Sequence, residues 1–112
     1  MCHTLYLMLT LGRCSHCLRS IDMFSGLLAA LGHDCDHPGN SNSFEVANSS
    51  EKAMAHNDDA VLERHHSRTL FEVMKREENN VMASFEAIEQ QYMRRLMIHA
   101  ILGTDMSKVS IY

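Results

Sequence analysis

The chemistry-bearing side chains concentrate in one short run, His33-Asp34-Cys35-Asp36-His37. A divalent cation that must activate water takes carboxylate oxygen and neutral imidazole as ligands and keeps positions open for solvent. His33 and Asp34 are adjacent at the end of an apolar stretch, where the chain can turn both side chains toward one centre. Asp36 and His37 follow within the next turn, close enough to hydrogen-bond a coordinated water or to orient a ligand. A second acidic–imidazole pair, Glu63 and His66, has i, i+3 spacing and so shares one face of a helix. Where two ions are held together, a shared carboxylate spaces them about 3.5–4 Å apart around a bridging hydroxide, and Asp34 is the natural candidate for that bridge.

These residues need a scaffold, and helical periodicity dominates the sequence. Leu5 to Leu11 reads as the end of an apolar helix broken at Gly12. Phe24, Leu27, Leu28 and Leu31 fall at i, i+3, i+4 and i+7 and line one helix face that runs into Gly32-His33. Turn formers cluster from Pro38 to Ser43, so the chain leaves the helix there. Asp58 or Asp59 can cap a third helix carrying Leu62, His66, Thr69, Leu70 and Val73 inward. Ser84 can cap a fourth, with Ile88, Tyr92, Leu96, Met97, Ala100 and Ile101 as its buried stripe. No alternating run of strand length occurs, so the expectation is an all-α chain of about four main helices. Nine methionines and no tryptophan suit a helical core of adaptable side chains, and Met93, Met97 and Met106 are read as packing residues.

A bare His-Asp pair is common, but the longer string His33-Asp34-x-Asp36-His37-x-Gly39-x-x-Asn42-x-Phe44 is specific. It resembles the signature of the class I cyclic-nucleotide phosphodiesterases, within the wider superfamily of His-Asp metal phosphohydrolases. Further blocks are similar to that family in order and spacing: Leu28-Ala29-Ala30-Leu31 ahead of the motif, Val61-Leu62-Glu63-Arg64-His65-His66, and Ile101-Leu102-Gly103-Thr104-Asp105-Met106-Ser107-Lys108. The resemblance implies that His33 and Asp34 ligate a tightly held ion, usually zinc, and that Asp34 bridges to a second, usually magnesium or manganese. It implies that His37, Glu63 and Thr104 hold waters on the second ion, that His66 lines the same pocket, and that Asp105 is a buried acid supporting it. The implied reaction is hydrolysis of the 3′,5′-cyclic phosphodiester of cAMP or cGMP to the 5′-monophosphate. Another nucleotide as substrate within the superfamily is disfavoured by the Glu63/His66 and Thr104–Lys108 blocks.

The resemblance also marks what is expected elsewhere. The family carries a His-Asn-x-x-His block, with the general acid and a metal ligand, ahead of the region that matches here, and His3 does not sit in such a block. A further aspartate ligand and a purine-clasping glutamine are expected beyond Lys108, where Val109-Ser110-Ile111-Tyr112 replaces the usual histidine. Residues 1–112 are therefore expected to be part of a catalytic domain, with no catalytic acid of their own. Of the tight ion's four protein ligands, only His33 and Asp34 are expected here, and catalytic sites want at least three, so metal affinity is expected to be poor and the chain alone inactive. A non-catalytic role in binding or dimerisation through uncovered apolar faces is the alternative from a different functional class.

Composition narrows the remaining classes. The net charge of −4, with lysine and arginine scattered, offers no basic stripe for nucleic acid. The apolar stretch Phe24–Leu31 falls well short of the roughly 20 residues that span a bilayer. The apolar N-terminal segment lacks a basic leader and a cleavage site, so no signal peptide is expected. Four cysteines, including Cys14-Ser15-His16-Cys17 with no second Cys pair, are read as reduced thiols, and a cytoplasmic location is expected. His65 is left between a half-buried helix histidine and a site residue. Asn42 is read as fixing its loop through a hydrogen bond.

Overall fold

A computed structural model describes residues 1–108, apart from the side chain of Ser15. Its longer helices are α1 (Cys2–Leu11), α2 (Ser20–Gly32), α5 (Val61–Met74) and α6 (Ala87–Leu102). Two short ones, α3 (Asn42–Ala47) and α4 (Glu51–Ala55), follow; α3 begins inside the expected turn cluster, because Ser41 caps it and carries Asn42 and Ser43 into its first turn. No strand occurs among the described residues, and the all-α expectation stands with its four main helices. Val109–Tyr112 lie outside the described residues.

α6 is the centre of the packing, with α2 and α5 against it and α1 against α2. Met93, Met97 and Ile101, all fully buried, form an i, i+4, i+8 ridge that meets Ala29 of α2, Met74 of α5 and Met82. Phe24, Leu28, Leu70, Phe71 and Phe85 close around this cluster, and the rings of Phe24 and Phe85 stack at 5.9 Å. The molecule is only 22 Å thick, about two helix diameters. Many apolar side chains therefore remain outside, among them Leu11, Leu31 and Ile88, each more than 70% exposed.

Several sequence expectations change in detail. On α2 the closest approach uses small residues, with Ser25, Ala29, Ala30 and Gly32 buried while Leu31 faces out. Gly32 is needed there, since a Cβ would lie 2.5 Å from the Leu70 side chain. On α5 the inward residue near the end is Met74 rather than Val73. On α6 the ridge of long methionines sets the rotation, which leaves Ile88 and Ala100 exposed and Tyr92 at the edge. Tyr92 there lies under the Arg19 guanidinium and donates its hydroxyl to Asp22. Met93 and Met97 are core, but Met106 is exposed.

Helix starts differ as well. Ser41 caps α3 by accepting the Phe44 N–H at 3.1 Å, and Ser50 caps α4 by accepting from Ala53 at 3.1 Å. α6 starts after Glu86, whose N–H donates to Glu89, and not at Ser84. Neither Asp58 nor Asp59 caps α5. Its N-cap is Ala60 in left-handed backbone with φ 45°, which has no side-chain oxygen to offer. The first turn instead receives a cap from a distance, because the Leu62 N–H donates to Asn42 Oδ1 at 2.8 Å. Asp59 spends its carboxylate on Arg64 and Lys108, at 2.7 and 2.8 Å.

Candidate metal centre

The motif run begins where α2 stops. Cys35 N–H returns to the Gly32 carbonyl at 3.1 Å, and Asp36 adopts left-handed backbone with φ 57°. That tight turn folds the chain back across α5. His66, almost fully buried on α5, donates from Nδ1 to the Cys35 carbonyl at 2.7 Å. One residue earlier on the same helix, His65 Nε2 lies 2.8 Å from Asp36 Oδ2.

This arrangement brings Asp34, His37 and His66 together, one ligand atom of each lying within 4.8 Å of the others. The His37 and His66 rings stack at 5.3 Å. His33 sits against the same carboxylate, its Nε2 2.9 Å from Asp34 Oδ2.

The ring nitrogens can be assigned from their partners. His33 Nδ1 lies 2.7 Å from the Ala30 carbonyl, and His66 Nδ1 likewise faces a carbonyl, so both rings carry a proton on Nδ1 and a lone pair on Nε2. The His33 lone pair then faces a carboxylate oxygen, an arrangement that a shared cation or proton relieves. His37 has the opposite polarity. Its Nδ1 accepts the Gly39 N–H at 2.9 Å, so the neutral ring presents an Nε2–H donor, suited to a water or a phosphate oxygen. Burial holds the His66 pKa below its ordinary value against the Cys35 carbonyl, which favours the proton; His37 nearby adds to the lowering. Neutral imidazole is the form a metal needs. Carboxylate oxygen with imidazole nitrogen is a donor set that fits zinc and harder divalent ions.

The other sequence-derived residues fall around this group and not within it. Glu63, one turn before His66, accepts from Asn42 Nδ2 at 3.0 Å. Asn42 thereby holds Glu63 with its amide nitrogen and starts α5 with its oxygen. Thr104 shares with His33 a cleft of about 210 Å³ floored by Ala29, Ala30 and Ala100, and its hydroxyl donates to Ile101 at 2.7 Å. Asp105 is buried, and its Oδ1 accepts from the Ser107 N–H at 3.0 Å and hydroxyl at 2.7 Å. Asp36 and His65 are paired by the fold; neither spacing nor residue type announced that pair, since 29 residues separate them. Cys2, Cys14, Cys17 and Cys35 are all free thiols. Among the described residues, no helix is long and apolar enough to cross a membrane.

Comparison with known proteins places this geometry in context. A family model described as 3′5′-cyclic nucleotide phosphodiesterase matches residues 1–111. The chain is 41% identical over 90 residues to the dual specificity calcium/calmodulin-dependent 3′,5′-cyclic nucleotide phosphodiesterase 1 of Drosophila melanogaster, covering 80% of this chain and 11% of that protein. It is 39% identical over 92 residues to the human 1B protein of the same description, covering 82% of this chain and 17% of the relative. Among solved structures, the phosphodiesterase domain of the RhoPDE fusion protein from Salpingoeca rosetta superposes with a TM-score of 0.78 at 38% identity, covering 80% of this chain and 28% of that one. The chain thus spans a minor part of the length of each. With a matching sequence model, a shared fold and a His/Asp group at the family's motif, this chain belongs to the 3′,5′-cyclic nucleotide phosphodiesterase family.

Proposed function

We propose that residues 1–112 are part of a phosphodiesterase catalytic domain and supply part of the metal-binding face on which cAMP or cGMP is hydrolysed to the 5′-monophosphate. The observation that carries this reading is the convergence of the Asp34 carboxylate with the His37 and His66 rings, one polar atom of each within 4.8 Å of the others, beside His33. Two divalent ions, zinc with magnesium or manganese, would supply activated water and charge neutralisation when bound. In the proposed assignment His33 and Asp34 would hold the tight ion. His37 donates from Nε2 to a water or phosphate oxygen, and Glu63 and Thr104 hold further waters. His66 lines the pocket as a neutral imidazole, and buried Asp105 supports the turn behind Thr104. In the overall reaction the water oxygen bonds to phosphorus, the P–O3′ bond breaks, and a proton ends on O3′. None of the 112 residues is assigned as the acid that delivers it, so the isolated chain is proposed to bind metal without turnover. Cytoplasmic signalling is the setting that goes with this reading.

Calorimetric titration with zinc, then magnesium or manganese, tests the site. Weak but saturable zinc binding that is lost in Asp34→Asn is expected, and a wild-type chain that binds no better than this variant would sink the proposal. Sustained cAMP or cGMP hydrolysis by the isolated chain would overturn the inactive assignment. The exposed apolar residues of α1 and α2, such as Leu11 and Leu31, favour a second reading, a non-catalytic binding or dimerisation module. That reading gains if the chain self-associates and takes up no zinc.

A further inference from the structure

We propose that His65 is a positioning residue for this centre, acting through Asp36 as one jaw of a two-histidine clamp on the motif loop. Three observations combine. Asp36 has φ 57°, a left-handed conformation that side-chain-bearing residues adopt at some cost and that persists when neighbouring contacts hold it. Its carboxylate meets His65 Nε2 at 2.8 Å, while the carbonyl of the preceding residue, Cys35, meets His66 Nδ1 at 2.7 Å. His65 and His66 are consecutive on α5, so their side chains leave the helix about 100° apart and grip consecutive loop residues from different directions.

The clamp matters because of what lies on either side of it. Asp34 is two residues before Asp36 and His37 is one after, so the backbone turn at Asp36 sets the path between two members of the candidate metal group. His37, the residue after that turn, stacks on His66 with ring centroids 5.3 Å apart. His66 alone fixes one carbonyl and leaves the peptide planes beyond it free to rotate. The second contact, at the left-handed residue itself, removes that freedom. His65 is mostly shielded while Asp36 is largely in solvent, so the contact is screened and its value lies in orientation more than in stability.

The zinc arm of the test rests on the proposed function; a metal-free arm does not. Amide spectra of the metal-free full chain are compared for wild type, His65→Ala and His65→Gln, the last of which can return a donor near the Nε2 position. Zinc affinity is measured by calorimetry on the same proteins. In H65A, the Cys35, Asp36 and His37 amides should shift and broaden, and zinc should bind about tenfold more weakly, as when groups that orient metal ligands are removed. H65Q should restore both. Asp36→Ser, which withdraws the carboxylate at an exposed position, should reproduce H65A and covers the case in which H65A fails to fold. Unchanged loop amides in folded H65A or D36S overturn the clamp whether or not zinc binds. Unchanged zinc affinity with perturbed amides overturns the positioning role. Failure of the wild type to bind zinc overturns the functional reading, while the amides still judge the clamp.

Discussion

Two joints hold this chain together, and they are built on opposite principles. Where α6 meets α2, the contact is made by Met93, Met97, Ile101 and Ala29, all apolar and all within a few per cent of full burial. Where the motif loop and α3 meet α5, it is made by directional bonds: His66 to Cys35, His65 to Asp36, and Asn42 to both Leu62 and Glu63. An apolar contact is non-directional and tolerates side chains of similar volume. A bonded joint fixes atoms one by one and fails when a single donor or acceptor is lost. The candidate metal centre stands on the second kind, which suits a site whose ligand atoms must keep their places.

That contrast can be broken from either side. The largest effect should come from Met97→Ala, which empties a fully buried position and should cost about 2–5 kcal/mol by denaturant unfolding. Met97→Leu should cost less than about 1.5 kcal/mol. If the two were equally damaging, the apolar joint would not be the tolerant one. Asn42→Ala should cost about 1–3 kcal/mol, since it strips the Leu62 N–H of its acceptor. Hydrogen exchange at Leu62 should speed up. Asn42→Asp should do no better, because its carboxylate would face Glu63.

Acid should separate the joints next. Burial holds His66 below its ordinary pKa, so its contribution is present above pH 6.5 and is lost as pH falls through the lowered value. Glu45 is held below 4.5 by the Ser50 hydroxyl and the Asn40 amide, and its contribution is lost on further acidification. Amides of the loop and α3 should therefore lose exchange protection at higher pH than those of α6. Simultaneous loss would merge the two joints into one unit. The smallest change should be Arg68→Ala, which removes an exposed i, i+4 pair with Glu72 and should move stability by less than about 0.5 kcal/mol.

The two joints also differed in how they could be read. The polar one was written in residue types only in part: His33-Asp34-x-Asp36-His37 and Asn42 stood out by their hydrogen-bonding and ligand chemistry, but the partners they meet did not. The apolar one was legible only as periodicity. Periodicity places α6 as a helix and puts Met97 and Ile101 inside, but it admits Ile88, Tyr92 and Ala100 to the same stripe, which the structure leaves outside. The cap of α5 was hidden for another reason. Asp58 and Asp59 are good local caps, yet Ala60 in left-handed backbone hands the task to Asn42.

The sequence by itself determined an all-helical chain and the family signature, because these follow from residue type and spacing along the chain. The tertiary structure decided how each helix is rotated against its neighbour, which ring nitrogen of His66 carries the lone pair, and that Asp36 answers to His65. Those outcomes depend on partners that fold in from elsewhere in the chain, 29 residues away for the Asp36 pair. No local propensity reports on a hydrogen bond that exists only once two distant segments have met.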